Sequence, residues 1–283
     1  MRSYEVLIKV YTYMEKSIGF IGAGKMATAI IKGLLRSGMF CKSCIFASEP
    51  NFETAQNLET ELGINVFTDN KTVAQKADII LLAVKPFIVK SVLEEIKDVV
   101  DDSKLIISIA AGISSKRIEE MLGKKARVVK VMPNTPALLG CGATAVCKGE
   151  NASSADFETS YKIFESVGKV VVTNESDIDA ITGVSGSGPA FYYLIINEIA
   201  KAGVKLGLDY KTALELSAQT ALGAARMILE TGVDPAQLIA NVTTPGGTTA
   251  EGNKVLNESN ISDILFETVQ KTAEKSNLMS QQL

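Results

Sequence analysis

A glycine-rich turn near the start of the chain has the residue types and spacing of an anion-binding loop. Gly22-Ala23-Gly24-Lys25-Met26-Ala27 follows the apolar run Ile18 to Ile21 and opens an alanine-rich segment. In a G-x-G-x-x-A pattern the first glycine permits a tight turn, the second lets backbone amides approach a pyrophosphate, and the small last residue lets the helix lie close to the strand. We therefore expect the residues from Gly22 to Met26 to bind a nicotinamide dinucleotide. A purely structural turn would not need both glycines and the alanine.

The end of the next apolar run bears on which dinucleotide is bound. Ser48 and Glu49 follow Phe46-Ala47, at the place where this fold faces the adenosine ribose. A carboxylate there binds the ribose 2′-hydroxyl and repels a 2′-phosphate, so Glu49 favours NADH over NADPH. In the alternative arrangement Glu49 points to solvent and Ser48 hydrogen-bonds a phosphate.

A second glycine-rich segment lies far along the chain, in Val242-Thr243-Thr244-Pro245-Gly246-Gly247-Thr248-Thr249. The two glycines are too flexible for a helix interior, and the threonines after them open a predicted helix toward Leu256. Free amides at a helix start, bordered by hydroxyls, can bind a carboxylate without any arginine. Simple helix capping would explain Thr248, but it would not explain the preceding Pro-Gly-Gly.

Composition excludes several classes of protein. The 283 residues include 29 basic and 32 acidic side chains and no histidine. Catalytic triads, histidine acid–base chemistry and histidine metal sites are therefore excluded, and no basic face for nucleic acid is indicated. The apolar runs are too short to cross a membrane, so we expect no membrane partner. The four cysteines lack the spacing of a zinc site, and we expect no metal, free thiols and a cytoplasmic protein.

Alternating strands and helices must position these loops. The predicted strands are Ile18 to Ile21, Ser43 to Ala47, Asp78 to Ala83, Lys104 to Ile109, Arg127 to Met132, Thr144 to Cys147 and Lys169 to Val172. The predicted helices between them are Lys25 to Arg36, Asn51 to Leu62, Lys71 to Lys76, Pro86 to Val99, Ser115 to Leu122 and Ser153 to Ser166. This alternation predicts an α/β Rossmann-like domain with a mostly parallel sheet covered by helices on both faces.

The composition changes after Glu175, where β-branched runs give way to alanine- and leucine-rich stretches of helical spacing. The predicted helices there are Pro189 to Gly203, Asp209 to Glu230, Pro235 to Ala240 and Ile261 to Leu278. We expect three regions: an N-terminal extension over residues 1–16, a dinucleotide-binding domain over 17–175 and an all-helical dimerisation and substrate domain over 176–283. The extension is predicted as an extra edge strand or a floppy segment, and Met14 is an alternative start. The helices of the last domain are apolar enough that we expect a homo-oligomer.

Four further motifs carry a resemblance to a known family. They are Ala83-Val84-Lys85-Pro86, Met132-Pro133-Asn134-Thr135-Pro136, Ser185-Gly186-Ser187-Gly188-Pro189-Ala190 and the Pro-Gly-Gly-Thr-Thr segment. In this order after the glycine-rich turn, they closely resemble the pyrroline-5-carboxylate reductases over nearly the whole chain. The resemblance implies hydride transfer from NADH or NADPH to the ring imine of 1-pyrroline-5-carboxylate, giving L-proline. It also implies an interlocked homodimer, with a decamer of five dimers as a frequent assembly.

The resemblance also implies roles for single residues on the substrate side. Thr249 matches a position close to the imine nitrogen, so it is the expected hydrogen-bond partner and candidate proton donor. Thr244, with Gly247 and Thr248, matches the carboxylate binders. Asn241 matches a position that touches substrate and cofactor, and Glu175 matches one near the substrate amine, although a solvated carboxylate is the ordinary expectation in its charged segment. No strong general acid is needed, because the imine can enter already protonated.

On the cofactor side, the resemblance marks three further segments. Asn70 matches a ribose-contacting position, and the residues from Ala83 to Pro86 match a cofactor-lining loop at the end of a strand, where open sheets bind ligands. Ile109, Ala110 and Ala111 match a turn that the nicotinamide half approaches. Lys85 has a competing interpretation as a catalytic acid, as in hydroxyacid dehydrogenases. Asn134 is expected to fix its loop near the nicotinamide or to form a local Asx turn.

Overall fold

The computed structural model describes residues 14–282, which form two compact units. One contains residues 14–186 together with the chain from Thr272 onward, and the other is Ser187–Lys271. The predicted domain boundary after residue 175 therefore lies eleven residues before Gly186, the last residue of the first unit before the second unit begins. The N-terminal extension, predicted as an edge strand or a floppy segment, lies outside the described residues except for its last three.

The first unit is built on one eight-stranded sheet. Its strands are β1 (Ile18–Ile21), β2 (Ile45–Ser48), β3 (Asn65–Phe67), β4 (Ile79–Leu82), β5 (Leu105–Ser108), β6 (Arg127–Met132), β7 (Gly142–Lys148) and β8 (Gly168–Val172). The strand order is β3-β2-β1-β4-β5-β6-β7-β8, and every neighbouring pair is parallel except β6 with β7. The central strands β1 and β4 carry no polar side chain because both faces of a parallel sheet are covered.

Helices cover both faces of this sheet. The helices of the first unit are α1 (Lys25–Ser37), α2 (Phe52–Leu62), α3 (Asn70–Lys76), α4 (Val89–Ile96), α5 (Ser115–Leu122), α6 (Ser154–Glu165) and α7 (Ile178–Ile181). Apolar residues of α1 and α6 join the core on one face, and those of α3, α4 and α5 join the core on the other. The predicted α/β fold with a doubly covered sheet is confirmed.

The second unit is helical throughout. Its helices are α8 (Gly188–Lys205), α9 (Tyr210–Thr231), α10 (Pro235–Val242), α11 (Thr248–Glu258) and the first part of α12 (Ile261–Gln282). Asp209 caps α9 by accepting a hydrogen bond from the amide of Thr212, and Gly232 ends the helix in the left-handed conformation. The Ser217 hydroxyl donates to the Ile196 carbonyl at 3.0 Å and ties α9 to α8.

The last turns of α12 return to the first unit. The Ser276 hydroxyl and the Asn277 side-chain amide donate to the two carboxylate oxygens of Asp179 at 2.6 and 3.0 Å. A side chain on Gly112 would approach the backbone of Met279 and Ser280 to within 3.5 Å. The last turns of α12 thus pack against the loop that follows β5.

The cysteine prediction is partly wrong. Cys41 and Cys44 form a disulfide, because the three-residue helical turn Lys42–Cys44 brings their Cα atoms to 5.1 Å, inside the range that a disulfide spans. Cys141 and Cys147 are free thiols, as expected. The cytoplasmic location, which was inferred partly from free thiols, stays a prediction. Within residues 14–282 no helix is long and apolar enough to cross a membrane.

Candidate active site

The loops that follow β1, β2, β4 and β5 enclose a cleft of about 720 Å³ at the carboxyl edge of the sheet. All fifteen residues predicted to contact the cofactor line it: Gly22, Ala23, Gly24, Lys25, Met26, Ser48, Glu49, Asn70, Ala83, Val84, Lys85, Pro86, Ile109, Ala110 and Ala111. They converge because the parallel strands all end at this edge, where open α/β sheets bind their ligands. Seven lining residues were not predicted as contacts: Pro50, Thr68, Ile88, Val92, Met132, Pro133 and Thr135.

The glycine-rich turn has the geometry of a pyrophosphate cradle. Gly22 has φ +91°, and a Cβ there would lie 2.8 Å from Val84 Cγ1 and 3.0 Å from the Ala83 carbonyl oxygen, so only glycine fits. Gly24 precedes α1, provides no side chain to cap it, and leaves space of at least 4 Å where a Cβ would stand. No acidic residue lies in the first turn of α1. The amides at this helix start therefore present partial positive charge to the cleft.

A chain of hydrogen-bonded side chains links the end of β2 to α3 and α4 at one side of the cleft. The buried Ser48 hydroxyl accepts from the Gly22 amide at 3.2 Å and donates to Asn70 Oδ1 at 2.7 Å. The Asn70 side-chain amide donates in turn to Glu95 Oε2 at 2.7 Å, and the Asn70 backbone amide donates to Glu95 Oε1 at 3.3 Å. The only proton of the Ser48 hydroxyl is thus donated within the protein and not to a ligand. Glu95 was not predicted, because a polar residue on an amphipathic helix carries no local sign of such a distant contact.

Glu49 lies beside Ser48, half-buried at the rim of the cleft. One of its oxygens accepts a hydrogen bond from the backbone amide of Asn51 at 3.1 Å. Asn51 itself caps α2 by accepting from the amide of Thr54. The carboxylate is therefore held at the end of β2 by the start of the next helix, where it lines the cleft.

Two further turns form the opposite wall. The amide of Ala83 donates to the Ile21 carbonyl at 2.9 Å, and the amide of Ile109 donates to the Leu82 carbonyl at 3.2 Å, which aligns the ends of three adjacent strands. The small residues Ala110 and Ala111 leave room for a ring to approach the backbone. Lys85 is exposed at the rim of the cleft, which fits the predicted cofactor-side position.

Asn134 fixes the loop after β6. Its side-chain amide donates to the Ser185 carbonyl at 3.0 Å, and its side-chain oxygen accepts from the amide of Ala143 at 2.9 Å. The side chain therefore fixes its loop and a local Asx turn does not form, while its position near the nicotinamide stays a prediction. The neighbouring residues Met132, Pro133 and Thr135 reach the cleft through this anchored loop.

The threonine-rich loop of the second unit forms a tight turn before α11. The amide of Gly247 donates to the Thr244 carbonyl at 2.9 Å, and a Cβ on Gly247 would lie 2.4 Å from Thr244 Oγ1. Gly247 is the residue that precedes the helix, so neither Thr248 nor Thr249 caps it. The capping interpretation of the two threonines is therefore wrong. Both hydroxyls belong to the exposed first turn of α11, beside amides that no capping side chain covers.

Asn241 and Glu175 have partners within the protein. The side-chain oxygen of Asn241 accepts from Gln237 at 2.8 Å on the surface of α10. Glu175 belongs to the first unit, and its two oxygens accept from the amide and the hydroxyl of Ser115 at 2.6 and 2.5 Å. The structure thus gives Glu175 a role at the start of α5, and its contact with a substrate stays a prediction.

The fold and the glycine-rich cleft define a dinucleotide-dependent oxidoreductase, and comparisons with known proteins specify the family. Residues 175–279 match the family described as pyrroline-5-carboxylate reductase dimerisation, and residues 17–112 match the family described as NADP oxidoreductase, coenzyme F420-dependent. The pyrroline-5-carboxylate reductase of Methanosarcina acetivorans is 42% identical over 262 residues, which cover 93% of this chain and 97% of that protein. The enzyme of Escherichia coli is 39% identical over 267 residues, covering 94% and 99%.

Two solved structures agree with these relatives. The pyrroline carboxylate reductase of Plasmodium falciparum with NADP bound has a TM-score of 0.86 and 34% identity, covering 95% of this chain and 100% of that chain. The pyrroline-5-carboxylate reductase of Coxiella burnetii has a TM-score of 0.89 and 36% identity, covering 94% and 99%. The chain belongs to the pyrroline-5-carboxylate reductase family, and the resemblance of its motifs to that family is confirmed.

Proposed function

We propose that the protein reduces 1-pyrroline-5-carboxylate to L-proline with NADH or NADPH. The observation that carries this proposal is the cleft at the carboxyl edge of the sheet, in a chain that belongs to the reductase family over nearly its whole length. The reduced nicotinamide supplies the hydride that the ring imine accepts. The protein contributes binding, orientation and the exclusion of water around the two reactants.

The cofactor assignment is supported by how well the cleft fits a dinucleotide. The amides at the start of α1 suit the pyrophosphate, and the space beside Gly24 allows its oxygens to approach the backbone. Asn70 lines the cleft, held by Ser48 and Glu95, and would contact a ribose hydroxyl. The alanines of the Ile109–Ala111 turn leave room for the nicotinamide.

We further propose that Glu49 makes NADH the preferred cofactor. Its carboxylate would accept a hydrogen bond from a ribose 2′-hydroxyl and repel a 2′-phosphate. The alternative phosphate ligand, Ser48, is buried and already donates its proton to Asn70. The Plasmodium relative was solved with NADP bound, so the ratio of the NADH and NADPH rates of this protein tests the proposed preference.

The substrate assignment rests on the loop before α11. The amides of Thr248 and Thr249 and the hydroxyl of Thr244 suit a carboxylate, since helix N-termini attract anions. Gly247, whose amide already donates to the Thr244 carbonyl, would contact the carboxylate through the backbone of its turn. Thr249 is the proposed partner of the imine nitrogen and Asn241 a further contact. A protonated imine needs no strong acid from the protein, which agrees with a chain that has no histidine.

The proposed assembly is a homodimer formed through the helical unit, with the decamer as a further prediction. Large apolar side chains lie exposed on and just after α8 and on α9, with Tyr193 at 62%, Leu206 at 87% and Leu229 at 76% exposure. Apolar surface of this extent marks a protein interface. Light scattering should give the mass of two or ten chains, and the mass of one chain would contradict the assignment.

Two other functions fit this site less well than the reductase. A hydroxyacid dehydrogenase of the same architecture would need a catalytic lysine in its helical domain, for which Lys201 and Lys205 are the candidates, and a different glycine-rich loop. Lys201 is paired with Glu198 at 2.7 Å, and the Pro-Gly-Gly-Thr-Thr loop argues against this class. A dinucleotide sensor would bind cofactor without turnover. Oxidation of NADH or NADPH by racemic 1-pyrroline-5-carboxylate, with proline formed, separates the reductase from both, and binding without oxidation would favour the sensor.

A further inference from the structure

A buried lysine lies beneath the cofactor cleft and has no place in the proposed chemistry. Lys130 sits in the middle of β6, with its side chain 1% exposed among the apolar residues of that strand. Its register neighbours are Ser108 on β5 and Cys147 on β7. Taking an ammonium out of water is unfavourable by several kcal/mol unless hydrogen bonds and opposite charges compensate. An apolar residue would fill this position at no such cost.

The hydrogen-bond partner of this buried ammonium is a residue that lines the cleft. Lys130 Nζ donates a hydrogen bond to the carbonyl oxygen of Ala110. Burial lowers the pKa of the lysine to about 8, while the carboxylates of Glu175 and Asp179 and the thiol of Cys147 act in the opposite direction. The lysine therefore has one direct partner in the backbone of a cleft-lining turn and two carboxylates behind it.

Ala110 is the central residue of that turn. Its amide donates to the Ser108 hydroxyl at 3.4 Å, so both the amide and the carbonyl of Ala110 are held by side chains from below. Gly112 then turns the chain with φ +69°. Ile109, Ala110 and Ala111 carry no hydrogen-bond donor in their side chains, so the turn cannot hold this carbonyl with its own side chains.

We propose that Lys130 is a positioning residue that holds the Ala110 turn in the conformation that receives the nicotinamide half of the cofactor. The proposal rests on the proposed function, since it assumes that a dinucleotide binds with its nicotinamide beside this turn. Lys130 does not touch the reacting atoms; it acts through the Ala110 carbonyl. A purely structural role in the core would instead affect the whole protein and no particular half of the cofactor.

The test compares Lys130→Met and Lys130→Arg with wild type on the full chain. Methionine keeps an unbranched side chain that is one atom shorter and removes the donor, whereas arginine keeps a donor and a charge. Lys104→Met is the matched control, because Lys104 Nζ also donates to backbone carbonyls, those of Gln75 and Ala77 at 3.1 and 2.7 Å, but at the amino end of β5.

Two binding measurements separate the halves of the cofactor. Calorimetry gives the Kd for NADH, which includes the nicotinamide, and for ADP-ribose, which lacks it; the steady-state kcat and KM for NADH are measured beside them. For K130M we expect NADH binding and kcat/KM to weaken by about 10- to 100-fold, the scale of a misplaced reactant. ADP-ribose binding should stay within about twofold, which also shows that the domain is folded. K130R should restore part of the loss, and K104M should match wild type in both Kd values.

Three results would overturn the proposal: wild-type NADH binding and kcat/KM in K130M, equal weakening of NADH and ADP-ribose, or the same loss in K104M. If wild type binds NADH but does not reduce 1-pyrroline-5-carboxylate, the proposed function fails on its own. The ratio of the NADH and ADP-ribose Kd values still decides the role of Lys130 in that case.

Discussion

Gly24→Ala should separate cofactor binding from folding. Gly24 has φ −69° and ψ −177°, which any residue can adopt, and no atom lies within 4 Å of the position where the new methyl group would stand. Alanine reduces the freedom of the unfolded chain, which stabilises by about 0.4–1 kcal/mol, but it is a poorer residue than glycine before a helix. The free energy of unfolding should therefore stay within about 0.5 kcal/mol of wild type.

The same methyl group occupies the space through which a pyrophosphate would reach the amides of α1. Losing one charge-assisted hydrogen bond costs about 1.5–3 kcal/mol. The KM for the reduced dinucleotide should therefore rise at least about tenfold, which corresponds to about 1.4 kcal/mol. Urea unfolding measures the stability, and initial rates at varied dinucleotide concentration measure the KM.

Gly38→Ala is the matched control with the opposite expectation. Gly38 ends α1 with φ +67°, and no atom lies within 4 Å of its missing Cβ. A side chain in this left-handed conformation costs about 1–2 kcal/mol, but the residue lies outside the cleft. G38A should lose stability and keep the wild-type KM. A wild-type KM in G24A would refute the assignment of the α1 amides to the pyrophosphate, and a stability loss in G24A equal to that of G38A would refute the geometry.

Three further substitutions test other parts of the account. Glu49→Ser should move the ratio of kcat/KM values toward NADPH, because it removes the charge that opposes a 2′-phosphate; an unchanged ratio would mean that Glu49 does not face the ribose. Thr249→Val should lower turnover and leave the dinucleotide KM nearly unchanged, with Thr60→Val on the exposed surface of α2 as control; wild-type turnover in T249V would exclude the proposed role. In wild type the free energy of unfolding should rise by about 3 kcal/mol between about pH 8 and pH 10.5, at 1.36 kcal/mol per pH unit, because only the unfolded chain keeps the lysine proton in this range. Lys130→Met should abolish this rise. If the free energy of unfolding changed with pH in the same way in K130M and in wild type across this range, the pKa of Lys130 in the folded protein would not be lowered.

Local sequence patterns predicted the central part of the fold well. β1 and β6 have the predicted bounds, because short apolar runs between turn residues are typical of strands buried on both faces. β3 was missed, since its three half-buried residues at the sheet edge, Asn65–Phe67, have neither the length nor the apolar character of a central strand. The predicted helix from Pro86 to Val99 is in fact a short helical turn at Pro86–Ile88 followed by α4, which ends at Ile96.

The part of the candidate site that could be predicted is the part formed by motifs at the ends of successive parallel strands. In a parallel sheet the turns after β1, β4 and β5 must meet at one edge, so a motif at the end of each strand was enough to place Gly22, Ala83 and Ala110 together. The Glu95 contact with Asn70 and the Lys130 contact with Ala110 depend on how α4 and β6 pack against those turns. Such contacts arise from tertiary structure, which no single sequence motif encodes.

The most direct test of the central claim is the loss of reduced-nicotinamide absorbance with racemic 1-pyrroline-5-carboxylate, run in parallel with NADH and NADPH at matched concentrations. The account predicts that both reduced dinucleotides are oxidised, NADH faster than NADPH, and that one L-proline forms for each dinucleotide oxidised. No oxidation with either dinucleotide, although both bind, would contradict it.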